Sequence, residues 1–485
     1  MNHMISKINI SNLFCLAMAF GILNQCAFPI GNIPIPIYFI SLTLFLFIYV
    51  FLLPKKFYYK IMQFFKTKAG IILSLMTLVI ILGLVVSIFR GHFILSKFFT
   101  NFLNTYLLSS LFPFFATMLA VPKMISNKKI HKFLLLTYFM IFFLGIIGIF
   151  AVFYNINFIN DFLSIFSLRQ DIAIGRTSNR LITSFGFPRV SSVFCEPAPF
   201  AYFILISTPI VYQLCNIKTK IFNNLLIDKI IKKSTLIMLP ICLLFTQSPI
   251  FIIFFSIVVG IFAIYRIFKS KQIYKKYLII TTILLLCCSF LLLFNNPYID
   301  ISKTSFSRIF ATFNNLTNFA GLIVAEPSFA THISRHIFSF LVFLKYPFIG
   351  IGYGNSGSIL TSITLNSGIP LTPEIYRQTI EFDILGGSSS FLFKSLAETG
   401  ILGTILLFLF CCILVKNSFL IINKLNEINR SLLIGVIYSV IIILLFSFYD
   451  TFFVSIIWFY VGLLQAFIIF YKNQEKFNAK KCIHN

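Results

Sequence analysis

Arginine is the rarer basic residue in this chain, and its placement is the first chemical signal. Of 39 Lys and Arg residues only 10 are Arg, in a sequence whose lean toward Phe, Ile, Asn and Lys makes any residue running against that lean informative. Eight of the ten, Arg90, Arg169, Arg176, Arg180, Arg189, Arg308, Arg335 and Arg377, lie in segments that share one side of the apolar alternation described below. A guanidinium is planar, permanently charged and bidentate, which suits it to carboxylate or phosphate. The alternative is that these arginines snorkel to lipid headgroups and pair with nearby acids. Residues 185–203 read FGFPRVSSVFCEPAPFAYF, with Glu196 about two helical turns from Arg189. That carboxylate is either an ion-pair partner or a base beside a phosphate clamp.

The second concentration of chemistry is THISRHIFSFLVFLKYPFIGIGYGNSGS, residues 331–358, which holds His332, Arg335, His336 and Tyr353. Histidines four apart can place two ligands on one helix face. No third ligand is evident and the glutamate of a zincin is absent, so no metal is expected. GIGYGN has no strand before it and no Lys-Ser/Thr after it, and reads as turn chemistry rather than a phosphate loop.

These residues need a scaffold, and the composition names its class. The chain has 485 residues, 59% hydrophobic and 11% charged, against about 25% charged for a soluble domain. Apolar runs of roughly 17 to 25 residues fall near 8–28, 35–53, 69–89, 101–120, 133–153, 195–215, 234–246, 249–267, 277–294, 391–415, 431–448 and 451–471. The expected architecture is an all-α polytopic membrane protein of about 12 transmembrane helices. Its segments are helices 1–5 over 1–153, an outer loop with an Arg cluster at 154–194, helices 6–9 over 195–294, a large outer loop at 295–390, helices 10–12 over 391–471 and a tail at 472–485. The first run is too long and too poorly flanked for a cleaved signal peptide and is expected to be retained. Apolar stretches and Gly-rich turns inside the large loop predict short helices there, and long loops are where function concentrates.

Basic loops stay cytoplasmic. With the amino terminus inside, 27 basic and three acidic residues (Asp228, Glu427, Glu475) face the cytoplasm, and 12 basic and ten acidic residues face out. The net +26 is then an insertion signal and a contact with anionic lipid heads, with no nucleic acid needed. The ten cysteines lie nearly all within or beside the spans and show no metal-ligand spacing, so neither a disulfide framework nor a metal site is expected.

Three stretches, FPRVSSVFCEP, SRHIFSFLVFLKYPFIGIGYGN and SSSFLFKSLAETGILG (388–403), resemble the O-antigen ligase and polymerase superfamily, closest to the repeat-unit polymerases of the Wzy type. The resemblance covers Arg189 to about Phe410. It implies a glycosyltransferase C-type (GT-C-like) membrane fold and a reaction on undecaprenyl-diphosphate-linked oligosaccharide at the outer face of a bacterial inner membrane. Membrane lipids and a chain-length regulator protein are the implied further partners. Both termini would be cytoplasmic, and no cofactor or nucleotide is implied. By motif context Arg189 and Arg335 match family arginines, and Arg308, in TSFSRIF, is carried over on less specific flanks. Together with Glu196 they form the expected catalytic set; Arg169, Arg176, Arg180, Arg377, His332 and Tyr353 form the expected substrate-binding set. Glu381, Asp383 and His332 are further candidates for the base, while Glu398 and Asp450 read as structural or substrate-orienting. Where a ligase has a His ahead of the last large-loop helix, this chain has Gly386-Gly387-Ser388-Ser389-Ser390, and Ser192 replaces a ligase glycine. Both departures favour the polymerase. A transporter, such as a lipid-linked sugar flippase, is the rival of another class, set back by few midspan charges and no internal repeat.

The charge division makes a topological prediction. Reporters fused after Lys68, Lys129, Lys232, Lys275 and Asn426 should report cytoplasm, and those after Asp171 and Asn366 the outer side. A cytoplasmic signal at Asn366 would remove the outer anion site.

Overall fold

The computed structural model of the protein describes residues 11–12, 14–15, 18, 27–30, 33–36, 44–50, 53–91, 106–107, 110–154, 197–246, 248, 251, 254–256, 260, 315, 317–325, 327–381, 390–447 and 454–484. Their regular elements are helices apart from one antiparallel hairpin, β1 (Ala27–Ile30) and β2 (Ile33–Pro36), with Ala27 opposite Pro36 and Ile30 opposite Ile33. The helices are α1 (Pro54–Phe65), α2 (Lys68–Phe89), α3 (Phe112–Ser126), α4 (Lys129–Phe153), α5 (Pro197–Asn216) and α6 (Leu225–Phe245). Then follow α7 (Phe319–Ala325), α8 (Pro327–Lys345), α9 (Ser356–Asn366), α10 (Pro373–Tyr376), α11 (Phe391–Ile421), α12 (Glu427–Leu445) and α13 (Val454–His484).

Among the described residues five stretches are long and apolar enough to cross a membrane: Lys68–Phe89, Lys129–Phe150, Phe391–Lys424, Glu427–Leu445 and Ile456–Ala479. The molecule is thus a helical protein with membrane-spanning segments. The expected runs near 249–267 and 277–294 lie wholly or almost wholly outside the described residues. Within the run at 101–120, the shorter apolar helix α3 begins at Phe112; Tyr106, Leu107, Ser110 and Leu111 before it are π-helical, and the rest of that stretch lies outside the described residues.

One boundary differs for a clear reason. The Lys-rich stretch at 216–233 reads as a loop, yet α6 begins at Leu225. Asn224 caps it, its Oδ1 accepting from the backbone N–H of Leu226 and Ile227. Asp228 in the first turn and Lys232 one turn on form a buried 2.8 Å ion pair. The same carboxylate accepts from Ile221 N and Phe222 N, and Lys232 Nζ donates to the carbonyls of Ile217 and Thr219. Every charge in this staple has several partners, so the basic run folds onto the helix. The final helix likewise runs on through the expected tail to His484.

Small residues bring the apolar helices together, since packing rather than hydrophobicity drives association in lipid. A side chain at Gly435 of α12 would sit 2.8 Å from Ile210 Cα of α5, and one at Gly462 of α13 would sit 2.9 Å from Thr117 of α3. An aromatic cluster fills the same interior, with Phe114 edge-on to Phe410 (5.6 Å) and to Trp458 (6.2 Å). Deeper in, Tyr460 shares hydroxyl contacts with Tyr138 (2.8 Å) and Ser207 (3.1 Å), a buried polar link between α4, α5 and α13.

The feature that positions the site is a break in α11. Gly400 sits at φ 64°, ψ −168°, a region open essentially only to glycine, and interrupts the helix. A broken helix exposes N–H and C=O groups that an apolar layer cannot hydrate. The turn after α8 supplies their partners. Ile351 N donates to Ala397 O (3.0 Å) and Gly352 N to Glu398 O (2.9 Å); in return Ile401 N donates to Pro347 O (2.8 Å) and Leu402 N to Phe348 O (3.3 Å). The two chains come so close that a Cβ on Gly400 would lie 2.4 Å from Phe348 C and O, and one on Gly350 (φ 72°) 2.5 Å from Glu398 C. The turn is also wedged against α2, where Asn355 Nδ2 donates to Ser87 Oγ at 3.1 Å. A satellite core of Phe338, Val342, Ile351, Ile359, Leu360, Ile375 and Ala397 holds α8, α9 and α10 on this junction.

Gly400→Ala and Gly350→Ala should each destabilise the protein by well over the ~1–2 kcal/mol of a left-handed alanine, because backbone stands where the methyl must go. Gly368 has a similar φ of 67° with nothing within 4 Å, so Gly368→Ala should show the conformational cost alone. Thermal unfolding of the three purified variants checks the order; equal losses would mean that the close approach contributes nothing.

Candidate functional site

The structure brings together the two carboxyl-terminal stretches singled out from the sequence. Helix α8 carries His332, Arg335 and His336 and packs on the first turns of α11, where His336 stacks on Phe393 (5.3 Å between centroids, 18° between planes). Arg335 faces α10. Its Nη2 donates to Gln378 Oε1 at 2.7 Å and contacts Glu374 Oε1 at 3.2 Å, while its Nε is buried without a hydrogen bond among the described residues. The ion-pair expectation therefore describes Arg335 as it stands, with part of the guanidinium still uncommitted. Thr331 and Thr372 join the same two helices by a 2.8 Å hydroxyl contact, and Thr372 Oγ1 caps α10 by accepting from Ile375 N. Arg377 is exposed and opens the π-helical turn Arg377–Glu381 that continues α10.

Burial lowers the pKa of His332 to about 4, and the charge of Arg335 pushes the same way. Burial, then His332, then Arg335 also lowers His336 to about 4. Both imidazoles are neutral at pH 7 and add no positive charge to an anion site. Among the described residues no three His, Cys, Asp or Glu side chains are grouped to hold a metal.

Tyr353 stands at the tip of the Gly-rich turn. Its ring meets Tyr106 edge-on at 5.5 Å, and the Tyr106 hydroxyl lies 2.6 Å from Thr77 Oγ1 of α2. Burial, with the Glu398 carboxylate and Tyr106 beside it, holds the Tyr353 phenol well above its ordinary value, so it keeps its proton at neutral pH. Together these groups bound a cavity of about 40 Å³ just ahead of the Gly400 break. Its chemistry comes from the rings of Tyr106, Tyr353 and Trp458, the Ser110 hydroxyl, and Lys394 and Glu398 one turn apart on α11. Glu398 is 1% exposed. Behind it Ser395 Oγ lies 3.0 Å from Thr404 Oγ1, a hydroxyl contact that spans the break.

The remaining expected site residues, Arg169, Arg176, Arg180, Arg189, Glu196 and Arg308, lie outside the described residues, as does Asp383. Sequence reasoning had Tyr353 and His332 as substrate-binding residues but did not gather Lys394, Glu398 and Trp458 into one cavity. Two signals pointed there: Glu398 is an acid inside an apolar run, and Trp458 is the chain's single tryptophan. No protein-family model matches the chain, and no curated protein does either.

The two histidines predict an acid-sensitive junction. Their folded pKa of about 4 lies below the unfolded value near 6.5, so the stability they contribute is complete above pH ~6.5 and is lost as pH falls toward ~4. The melting temperature of the purified protein should fall between pH 7 and pH 5. A His332→Gln/His336→Gln variant should show a flatter dependence; an unchanged slope would show that neither group is buried neutral.

Proposed function

We propose that the protein is a polysaccharide repeat-unit polymerase, transferring an undecaprenyl-diphosphate-linked glycan chain onto a lipid-linked repeat unit at the outer face of the bacterial inner membrane. The observation that carries this reading is the reciprocal hydrogen bonding around Gly400, which joins the GIGYGN turn to SLAETG, two of the segments that resemble the polymerase and ligase superfamily. The concentration of arginine in the connections assigned to the outer side supports it, because the leaving group is a diphosphate anion. In this mechanism a sugar hydroxyl attacks the anomeric carbon with inversion and expels undecaprenyl diphosphate. Arg189, Arg335 and Arg308 stabilise the charge gathering on the departing diphosphate, with Arg169, Arg176, Arg180 and Arg377 collecting the substrate. Glu196 is the sequence-derived base. A ligase joining finished polysaccharide to a lipid core uses the same donor and is the nearest alternative. A flippase is the reading of another class, and the interrupted α11 favours it specifically, since transporters place broken helices at their binding sites.

Gel display of surface glycolipid from cells lacking the gene separates the three: a single-repeat band marks a polymerase, loss of all attached polysaccharide a ligase, and lipid-linked repeats held inside the cell a flippase. Complementation then tests the clamp. Arg189→Lys and Arg335→Lys should largely abolish polymer at unchanged protein level, whereas Lys56→Arg and Lys271→Arg should leave the banding intact, because a point charge does not replace a bidentate fork. Normal banding from both Arg variants would make those arginines structural.

A further inference from the structure

The cavity ahead of Gly400 holds groups that the clamp does not use. Its size decides what enters. At about 40 Å³ it has room for a few waters or one hydroxyl-bearing carbon, far from the ~300–1,000 Å³ that encloses a whole small molecule. The ligand it fits is one edge of a larger body. Four aromatic residues (Tyr106, Tyr353, Phe391 and Trp458) and three hydroxyl residues (Ser110, Ser395 and Thr399) line it, which suits the mixed apolar and hydroxylated surface of a sugar, and the buried Glu398 carboxylate lies among them beside Lys394. The backbone that carries it is fixed. The Glu398 carbonyl is tied to Gly352 N at 2.9 Å, and the residue is two positions from a glycine whose φ, ψ no other side chain adopts readily.

The placement is also apt. Phe393, five positions before Glu398 and so about 140° around the same helical segment, carries the stacked His336, and α8 carries Arg335. One short segment thus packs against the clamp helix on one side and lines the carboxylate cavity toward the other.

Resting on the polymerase reading, we infer that Glu398 is the base of the transfer and that the cavity it lines receives the reacting hydroxyl of the acceptor sugar. In this step the hydroxyl proton passes to the Glu398 carboxylate as the oxygen forms its bond to the anomeric carbon of the donor. The anomeric carbon–oxygen bond breaks, and its electron pair leaves with undecaprenyl diphosphate. Tyr353, whose hydroxyl pairs with Ser110, bounds the cavity beside Glu398 and shapes the space the hydroxyl enters. This assignment replaces Glu196 as the base and returns it to the ion-pair reading with Arg189.

The test uses the full-length protein in lipid nanodiscs and lipid-linked repeat units extracted from cells lacking the gene. Wild type should lengthen them. Glu398→Gln should bind undecaprenyl diphosphate as wild type does but lose at least ~100-fold in turnover, the lower range for removal of a positioned base. Glu398→Ala should be equally slow and should recover on adding formate, a small carboxylate that fits the space vacated. Glu196→Gln should retain more activity than Glu398→Gln. Turnover by Glu398→Gln within about threefold of wild type, no recovery of folded Glu398→Ala with formate, or donor binding lost in step with turnover would each overturn the assignment. If Glu398→Gln and Glu398→Ala do not fold, Glu398→Asp supplies the readout: a base predicts slowed turnover with donor affinity kept, and unchanged turnover overturns the assignment. A wild-type protein that binds the lipid-linked units and never lengthens them overturns the polymerase reading itself, and this inference with it.

Discussion

A helix that stops bonding to itself within an apolar run must find other partners, and at Gly400 they come from residues 347–352. Four backbone hydrogen bonds cross this junction, two in each direction. An unsatisfied amide in hydrocarbon costs several kcal/mol, so neither the break nor the turn is stable alone. The arrangement works only because glycine stands at both points of contact. Around it the satellite core pins α8, α9 and α10, the stacked His336 and Phe393 orient α8, and Tyr353 reaches the cavity. Chemistry-bearing residues from separate parts of the chain converge because the backbone requires the contact.

Charged and polar groups tie the helix ends together. Lys424 contacts Glu475 at 3.8 Å and lies over Tyr471, joining the carboxyl ends of α11 and α13. At the other end of α2 the Arg90 guanidinium lies 4.6 Å from the centre of the Tyr346 ring, beside the Gly-rich turn. Ser390 Oγ and Leu392 N both donate to Ser447 O, joining the start of α11 to the end of α12. Lys345 lies over the same Tyr346 ring, at 5.8 Å, so both kinds of cation meet the polar turn. The buried pair is Asp228 with Lys232. Burial pushes the Asp228 carboxyl up, but Lys232 and the N–H groups of Phe222 and Ile221 outweigh it and hold the carboxyl below its ordinary value.

The proposed chemistry needs a carboxylate and a group to hold an anion; α11 carries the first and packs against α8, which carries the second. Arg335 is already partly engaged by Glu374 and Gln378. A bidentate site that starts out paired can exchange a weak, half-exposed partner for a diphosphate at modest cost, because surface ion pairs contribute only ~0–1 kcal/mol. Glu398 is instead enclosed, and its position follows from the backbone.

The sequence alone determined the class of the molecule: apolar runs of spanning length require helices that satisfy their own backbone. It also marked the residues that matter locally, because His332, Arg335 and the glycines of GIGYGN are legible as types and spacings. Their neighbours were not. That α6 starts within a lysine-rich stretch depends on Asn224 capping it and on the bonds Asp228 and Lys232 make to residues 217–222. That a glycine in LAETGILG breaks a helix is invisible to periodicity, which runs on unchanged through the break. Only the tertiary structure decided that the partners for the freed groups lie near residue 350, some fifty residues earlier, and that Glu398 faces a cavity shared with Tyr353 and Trp458. The physical reason is that hydropathy pattern reports which faces must be buried, whereas the meeting of particular side chains depends on where the backbone departs from its regular bonding and what it finds there.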